Sequence, residues 1–470
     1  MLRGSAPAPG RDVLGRRIVS DVDIGSRVNG AGVLEPAEAR GGGSDRSRLA
    51  RRLGTFDAVV IGLGSMIGAG VFAAFAPAAE AAGAGLLVGL AVAAAVAYCN
   101  ATSSAQLAAQ YPMSGGTYVY GRERLGEWSG FVAGWGFVVG KTASCAAMAI
   151  TFAAYAVPDE AWRKPVAVAA VAGLAAVNYR GVTRTARLAR ILIVIVLAAL
   201  AVVVAANLTG GSAQAGNLDG WVDREGGWYG ILQSAGLLFF AFAGYARIAT
   251  MGEEVRDPQR TIPRAIVTAL TITVLVYALV GGSTLLVLGP DGLAGTIAPL
   301  AEAVRADGWD WAGPLVRVGA AAAALGALLA LIAGVGRTSL AMARERDLPG
   351  WLARVHPRFQ VPHHAEIALA LAVCVLVLAV DLRGAIGFSS FGVLIYYLIA
   401  NLSAFTQPPG QRRFPRGLQI VGAIGCLTLI ATLPVEAVLT GIGVFAAGLI
   451  YRLLRLRRRR GDSTATGELS

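Results

Sequence analysis

The chain has 470 residues, 55% of them hydrophobic and only 15% charged, and its mean hydropathy is positive. A soluble globular protein of this length is less apolar and more charged, so the composition excludes that class and predicts extensive contact with lipid. The net charge of +12 is compatible with nucleic-acid binding, but the arginines fall on alternate loops between apolar segments, which is typical of a membrane protein. We therefore expect a lipid bilayer as partner and no nucleic acid.

Segments of membrane-spanning length follow one another along the chain. A bilayer core requires about 20 apolar residues per helix, and the sequence contains about twelve such runs. In chain order they are 56–79, 84–108, 129–156, 165–180, 189–208, 229–252, 265–288, 314–342, 365–381, 384–405, 417–434 and 435–453. The sequence thus predicts an all-α polytopic membrane protein with a disordered tail at 1–54, a transmembrane domain over 55–455 and a second tail at 456–470.

The distribution of positive charge predicts the orientation of this domain. Loops rich in arginine alternate with loops that carry few, and the arginine-rich loops of a membrane protein face the cytoplasm. An even number of spans returns the end of the chain to the side on which it began. We expect a multi-pass protein of the cell membrane with both termini in the cytoplasm.

Several sequence features that suggest other chemistry are rejected. The glycines at 62–70 resemble a dinucleotide fingerprint and VVGKT at 138–142 resembles a phosphate-binding loop. Both lie in apolar runs, without the soluble strand and helix context that such motifs require. The four cysteines also fall in apolar runs, and the three histidines share one loop without a ligand pattern. We predict no metal site, no cofactor and, since the spans contain no nucleophile with a base, no enzyme activity.

Small residues are concentrated at the middle of two spans. The first span contains four glycines and Ser65 within 62–70, and the sixth contains FFAFAGY at 239–245. A membrane helix is interrupted only where it lines a cavity or a site, and glycine tolerates the backbone angles of an interruption. Two interrupted spans about five helices apart are typical of inverted-repeat transporters with a site at the midplane. Close helix packing is the alternative interpretation of the glycines.

Four strings together resemble the signatures of the amino acid, polyamine and organocation (APC) superfamily of secondary transporters. They are GLGSMIGAGVF at 62–72, YPMSGGTYVYGRERLG at 111–126, FFAFAGYARIATMGEEVRDPQRTIPRAI at 239–266 and GRTSLAMARERDLP at 336–349. The strings occur in the order of the family. The resemblance implies a LeuT-type fold, in which five helices at about 55–210 are repeated upside down at about 228–405. It also implies discontinuous helices 1 and 6, followed here by two additional helices at about 417–454.

A substrate site at the two interruptions is implied by the same resemblance. The residues expected to line it are Ser65, Gly68, Ala69, Gly70, Phe240, Ala241, Ala243 and Gly244. Unpaired amides at 68–70 would bind a carboxylate, and free carbonyls at 61–64 and near Ala241 would bind an ammonium group. The two charges of an α-amino acid fit this arrangement. Phe240 is expected to cover the substrate as an aromatic gate, although packing against lipid or core is the alternative for a single phenylalanine.

Two cations lie within predicted spans, where a charge is costly. Lys141 lies well inside the third span and Arg247 lies in the second half of the sixth, and no Asp or Glu occupies the middle of any span. We predict that Lys141 either carries a coupling proton or binds an anionic group of the substrate. The eighth span lacks the paired hydroxyls of a sodium site. Proton symport, exchange and facilitated passage are left open, and acidic amino acids are among the possible substrates.

A cytoplasmic gate is predicted where charged residues flank the sixth span. Glu253 and Glu254 lie at its cytoplasmic end, opposite Arg337 at the end of the eighth span. Salt bridges between the two groups would break as the transporter changes conformation. A charged loop that only sets the topology is the alternative interpretation.

The predicted function is that of an amino acid permease, a secondary transporter that works by alternating access. A carrier of polyamines or other organic cations is less suited, since a dication requires carboxylates that the spans lack. A receptor or scaffold subunit that does not transport is the alternative of another class. The sequence leaves open which amino acid is carried, the coupling ion, symport or exchange, and the oligomeric state.

Overall fold

The structure, a computed structural model, describes most of the chain. The described residues are 53–112, 115–180, 186–219, 226–251 and 254–467, without the side chains of 186–189 and 458–467. Within these ranges the chain is helical, and β pairing is limited to one isolated parallel bridge between Leu53 and Val255. Only residues 53 and 54 of the predicted tail at 1–54 belong to the described residues. Glu253 also lies outside them.

The first half of the described chain contains eight α-helices. They are α1 (Thr55–Met66), α2 (Gly70–Ala73), α3 (Phe75–Ala82), α4 (Leu86–Gln110), α5 (Thr117–Leu125), α6 (Glu127–Ala156), α7 (Glu160–Tyr179) and α8 (Ala186–Thr209). The predicted first span, 56–79, therefore consists of three pieces, because the helix is interrupted after Met66 and again before Phe75. The short helix α5 was not predicted, since its sequence is too polar and too brief to cross a bilayer.

Nine more helices make up the second half. They are α9 (Gly227–Phe242), α10 (Ala246–Ala249), α11 (Pro258–Ala294), α12 (Pro299–Ala306), α13 (Gly313–Arg344), α14 (His363–Ala379), α15 (Leu382–Phe405), α16 (Arg416–Thr432) and α17 (Val435–Gly467). A 3₁₀ turn at Ala243–Tyr245 connects α9 to α10, and α11 is kinked at Gly289, whose φ is 65°. Helix α17 extends past residue 455, where the sequence predicts a tail, because its arginine run is compatible with helix.

Nine helical segments of the described chain are long and apolar enough to cross a membrane. They are Thr55–Ala73, Phe75–Gln110, Glu127–Ala156, Arg190–Thr209, Gly227–Ala249, Pro258–Ala294, Asp310–Arg344, Leu382–Phe405 and Val435–Arg457. Helices α14 and α16 are apolar but shorter. The protein is thus an all-helical, multi-pass membrane protein, as its composition predicts.

Helix α6 packs closely against α15 through glycines on both sides. A side chain added at Gly136 would approach the carbonyl oxygen of Gly392 to 2.7 Å, and one added at Gly140 would approach that of Ser389 to 3.1 Å. Small residues at such interfaces let helix backbones approach in a membrane, where van der Waals packing replaces the hydrophobic effect between helices. This packing places Lys141, the next residue of α6, in the interior of the bundle.

Candidate functional site

The first interruption separates α1 from α2. The N–H of Ile67 donates to the carbonyl of Leu63 at 2.6 Å, but the ψ of Ile67 is 53°, which ends the helix. Within the described segments, the N–H groups of Gly68 and Ala69 have no backbone carbonyl as partner. Helix ends leave such donors unpaired, so the helical hydrogen-bond pattern is broken in this segment.

The second interruption lies between α9 and α10. Helix α9 ends at Phe242, and the 3₁₀ turn Ala243–Tyr245 follows before α10 begins. A 3₁₀ turn is wound more tightly than an α-helix and has poorer hydrogen bonds, and within a helix it often marks a hinge or a strained segment. The turn contains Ala243 and Gly244, two of the predicted site residues.

The two interruptions contact each other directly. A Cβ added to Gly70 would lie 2.7 Å from the Cα of Ala241, and one added to Gly244 would lie 2.2 Å from the carbonyl oxygen of Ser65. These two positions therefore require glycine because the backbones cross. Both interpretations of the glycines apply here, since the segments are interrupted and also closely packed.

Two tyrosines and Lys141 donate to carbonyls at the interruptions. The Tyr277 hydroxyl in α11 shares its single proton between two carbonyls, those of Met66 at 2.6 Å and Ala241 at 3.1 Å. The carbonyl of Ala243 accepts from the Tyr397 hydroxyl at 3.3 Å and from Lys141 Nζ at 3.2 Å. Neighbouring side chains thus satisfy backbone groups freed in the membrane.

The tyrosines were missed by the sequence analysis. Both are buried within apolar helices, and a buried tyrosine usually has a hydrogen-bond partner for its hydroxyl. This need of a buried hydroxyl for a partner was the signal that could have identified the two tyrosines from the sequence. These hydrogen bonds also affect the predicted ammonium site. The Ala241 carbonyl already accepts from Tyr277, and the Ile61 carbonyl already accepts from the Ser65 hydroxyl at 2.9 Å.

A cavity of about 140 Å³ opens beside the two interruptions. Most of the predicted site residues line it, and they come from α1, α2, α6, α9, α10, α13 and the turn after α9. These residues are Ser65, Gly70, Lys141, Phe240, Ala241, Ala243, Gly244, Arg247 and Arg337. Gly68 and Ala69 lie in the first interruption but are not part of the lining. The cavity therefore brings together residues that lie up to 272 positions apart in the sequence, from Ser65 to Arg337.

The cations of the cavity differ in their partners. Arg247 pairs with Glu254 at 3.6 Å and also donates to the Thr250 hydroxyl at 3.4 Å. Lys141 is 6% exposed and has the Ala243 carbonyl as its acceptor. Among the described residues, no carboxylate lies within 4.0 Å of Arg337. Glu254 is thus close to Arg247 rather than to Arg337, the partner considered from the sequence.

Comparison with known proteins identifies the family. The sequence profile of the family described as amino acid permease matches residues 53–451. The chain belongs to this amino acid permease family. The permease is therefore a member of the APC superfamily, as its motifs predict, and it is a transporter and not an enzyme.

The permease is similar to proteins of bacteria and plants. A Mycobacterium tuberculosis protein described as an uncharacterized transporter is 59% identical over 421 residues, which cover 89% of this chain and 95% of the relative. The chloroplastic cationic amino acid transporter 7 of Arabidopsis thaliana is 27% identical, with 76% and 66% covered. The branched-chain amino acid permease of Bacillus subtilis is 24% identical, with 88% and 95% covered. These relatives differ in the substrate that they are named for.

Proposed function

We propose that this permease carries an α-amino acid across the cell membrane by alternating access. The observation that supports this function best is the cavity that the two interruptions share, with Gly70, Ala241 and Gly244 in its wall. Transporters whose site lies between discontinuous helices use the freed backbone groups to bind the substrate. The membership in the amino acid permease family supports the same substrate class.

The proposed architecture is a LeuT-type fold of twelve spans. The nine long segments, the shorter α14 and α16, and α7 would together supply this number. The first repeat would cover about 55–210 and the second about 228–405, so that each repeat begins with an interrupted helix. The protein would lie in the cell membrane, and both of its termini would be in the cytoplasm.

The proposed binding mode uses both charges of the amino acid. The amides at 68–70 would bind the α-carboxylate, since unpaired amides at a helix end attract anions. The carbonyl of Ala241 would accept from the ammonium group, because a carbonyl oxygen has two lone pairs and Tyr277 occupies only one of them. Phe240, which is 6% exposed and part of the cavity wall, would cover the substrate.

Transport is proposed to be coupled to protons or to proceed by exchange, and Lys141 is proposed to take part in either mode. Its ammonium group donates to the carbonyl of Ala243 in the second interruption. A charged lysine inside a membrane protein costs free energy unless partners compensate it. Loss of its proton would therefore weaken its bond to the interruption, and substrate binding at the same place would respond to protonation.

The test is uptake of a radiolabelled amino acid panel into proteoliposomes, with and without a pH gradient and with sodium varied. We expect Lys141→Met to abolish uptake driven by the pH gradient while the protein remains in the membrane. Lys164→Met is the matched control, because the other lysine of the chain lies at the surface and donates to the Leu378 carbonyl. Unchanged uptake and pH dependence in Lys141→Met would contradict the role of Lys141. Binding without uptake of any amino acid would instead indicate a receptor.

A further inference from the structure

The cavity wall is strongly unbalanced in charge. Three cationic side chains line it, namely Lys141, Arg247 and Arg337, and none of its described lining residues is an Asp or a Glu. Glu254 lies next to the wall and pairs with Arg247. The described wall therefore has an excess of positive side chains, and of its three cations only Arg247 is in a salt bridge with a described residue.

Among the described residues, the remaining two cations lack a salt bridge like that of Arg247, and the charge of Glu366 acts on Arg337 from outside the cavity wall. Within the described ranges, neither Lys141 nor Arg337 has an acidic oxygen within 4.0 Å. Glu366 packs against Gly336, where an added Cβ would lie 3.0 Å from its Cγ, but Glu366 does not line the cavity. Uncompensated cations inside a membrane protein are costly, and such residues mark substrate pathways.

The hydrogen-bonding groups of the wall have the same bias. The carbonyls of Met66, Ala241 and Ala243 already accept from Tyr277, Tyr397 or Lys141. The guanidinium of Arg337 and the ammonium of Lys141 are donors only. The cavity thus presents an excess of donors, which suits a ligand rich in acceptors.

The charge of the substrate follows from this imbalance. A cationic amino acid would add a positive charge to a wall that is already positive. A neutral amino acid has no net charge and would leave the excess of positive side chains in the described wall unchanged. A second acidic group on the substrate would neutralise part of the excess and accept the free hydrogen bonds.

On the basis of the function proposed above, we propose that the permease carries an amino acid whose side chain ends in an acid. The α-carboxylate binds at the first interruption, and the side-chain acid lies in the cavity that Lys141 and Arg337 both line. Arg247, held by Glu254, borders the same space. A dicarboxylate without an amino group shares the two-acid chemistry and is separated from the amino acid by the experiment below.

The experiment compares glutamate with glutamine, which have nearly the same shape and differ in side-chain charge. Binding of each is measured with the purified full-length protein in lipid nanodiscs at neutral pH, alongside leucine, lysine and glutarate. We expect glutamate to bind about 10- to 100-fold more tightly than glutamine, since hydrogen bonds to charged groups contribute about that factor.

Variants assign the preference to the cations. Lys141→Met and Arg337→Met should each weaken glutamate binding about 10- to 100-fold more than they weaken glutamine binding, whereas a loss of folding would weaken both equally. Lys141→Arg retains the charge and should retain a preference for glutamate. Arg344→Met is the matched control, because Arg344 lies on the same helix as Arg337, is exposed and does not line the cavity.

The outcomes separate this inference from the proposed function. Glutamate preference that Lys141→Met or Arg337→Met removes supports the inference. Equal binding of glutamate and glutamine, or preference for leucine or lysine, overturns the inference and leaves an amino acid permease. Binding of glutarate without any amino acid overturns both, because the protein would then be a dicarboxylate carrier.

Discussion

Gly244 and Gly64 have the same residue type and occur in similar glycine-rich strings, but their surroundings differ. A Cβ added to Gly244 would overlap the backbone of Ser65, at 2.2 Å from its oxygen, whereas a Cβ added to Gly64 would meet nothing within 4 Å. Backbone atoms cannot move aside as a flexible side chain does. Gly244 therefore holds the two interruptions in contact, and Gly64 has no such role.

Gly244→Ala should lower stability and transport together. The added methyl forces the interruptions apart, and overpacking of this kind costs about 1–3 kcal/mol. The expected result is a lower thermal unfolding temperature in detergent and weaker substrate binding. Gly64→Ala serves as control and should leave both close to wild type. Equal effects of the two substitutions would contradict the close crossing.

At the scale of the elements, α11 connects the two interruptions through one side chain. The Tyr277 hydroxyl reaches a carbonyl of each interrupted segment, Met66 in α1 and Ala241 in α9. The ring also contacts Phe242 and Phe75, with centroids 5.1 Å and 6.4 Å away. Tyr277 thus connects α11 to α1, α3 and α9 beside the two interruptions.

Tyr277→Phe should retain the packing and remove these hydrogen bonds. The carbonyls of Met66 and Ala241 lose the single donor that they share, which costs about 1 kcal/mol in a membrane protein. We expect a modest loss of thermal stability and altered substrate affinity, measured on the same purified sample. Tyr229→Phe is the control, since Tyr229 is 55% exposed. If Tyr277→Phe binds the substrate as tightly as the wild type, Tyr277 does not contribute to substrate binding.

A second group of contacts connects α5, α13 and α17 away from the cavity. Asp347, just after α13, accepts from the Tyr118 hydroxyl at 2.8 Å, Arg122 at 3.1 Å and Arg452 at 2.7 Å. Burial, with a further contribution from the charge of Asp347, raises the pKa of Tyr118, so its phenol stays protonated and donates. The guanidinium of Arg452 also stacks 4.8 Å from the Trp128 ring. This cluster attaches α17 to the rest of the bundle.

Asp347→Ala should destabilise the protein more strongly than the other variants. Removal of one partner leaves Arg452, which is 4% exposed, without its buried carboxylate, and such losses cost about 3–5 kcal/mol. Thermal unfolding and the yield of folded protein measure the effect. Glu123→Ala, at an exposed position of α5, should be close to neutral. A neutral Asp347→Ala would mean that α17 is held by apolar packing alone.

At the scale of the whole molecule, the orientation in the membrane follows from charge. The connection between α15 and α16 contains Arg412 and Arg413, and α16 begins with Arg416, whereas the sequence between α8 and α9 contains one arginine, Arg224. Positive loops face the cytoplasm. The two connections should therefore lie on opposite sides of the membrane.

Cysteine labelling tests this orientation. In a variant without the four native cysteines, Gly410→Cys should react with a membrane-impermeant maleimide only after cells are permeabilised, and Ala213→Cys should react in intact cells. Both positions are exposed. Labelling of the two positions from the same side would contradict the proposed topology.

The sequence by itself determined the membrane-spanning class, the transporter family and the place of both interruptions. Those properties depend on local composition and on the bilayer as solvent, so the glycines at 62–70 and the string at 239–245 were sufficient to predict them. Glu254 shows the limit of such reasoning. Its neighbour in space is Arg247, whereas the sequence alone also allowed Arg337.

Only the tertiary structure decided which groups meet at the site. Tyr277 and Tyr397 reach the interruptions from helices that start at Pro258 and Leu382, and no local pattern specifies which carbonyl each hydroxyl selects. The crossing of Gly244 with Ser65 and the shared cavity of Lys141 and Arg337 depend on the packing of whole helices. Such contacts arise from the shape of the entire bundle, because residues far apart in sequence become neighbours only when the helices between them are packed.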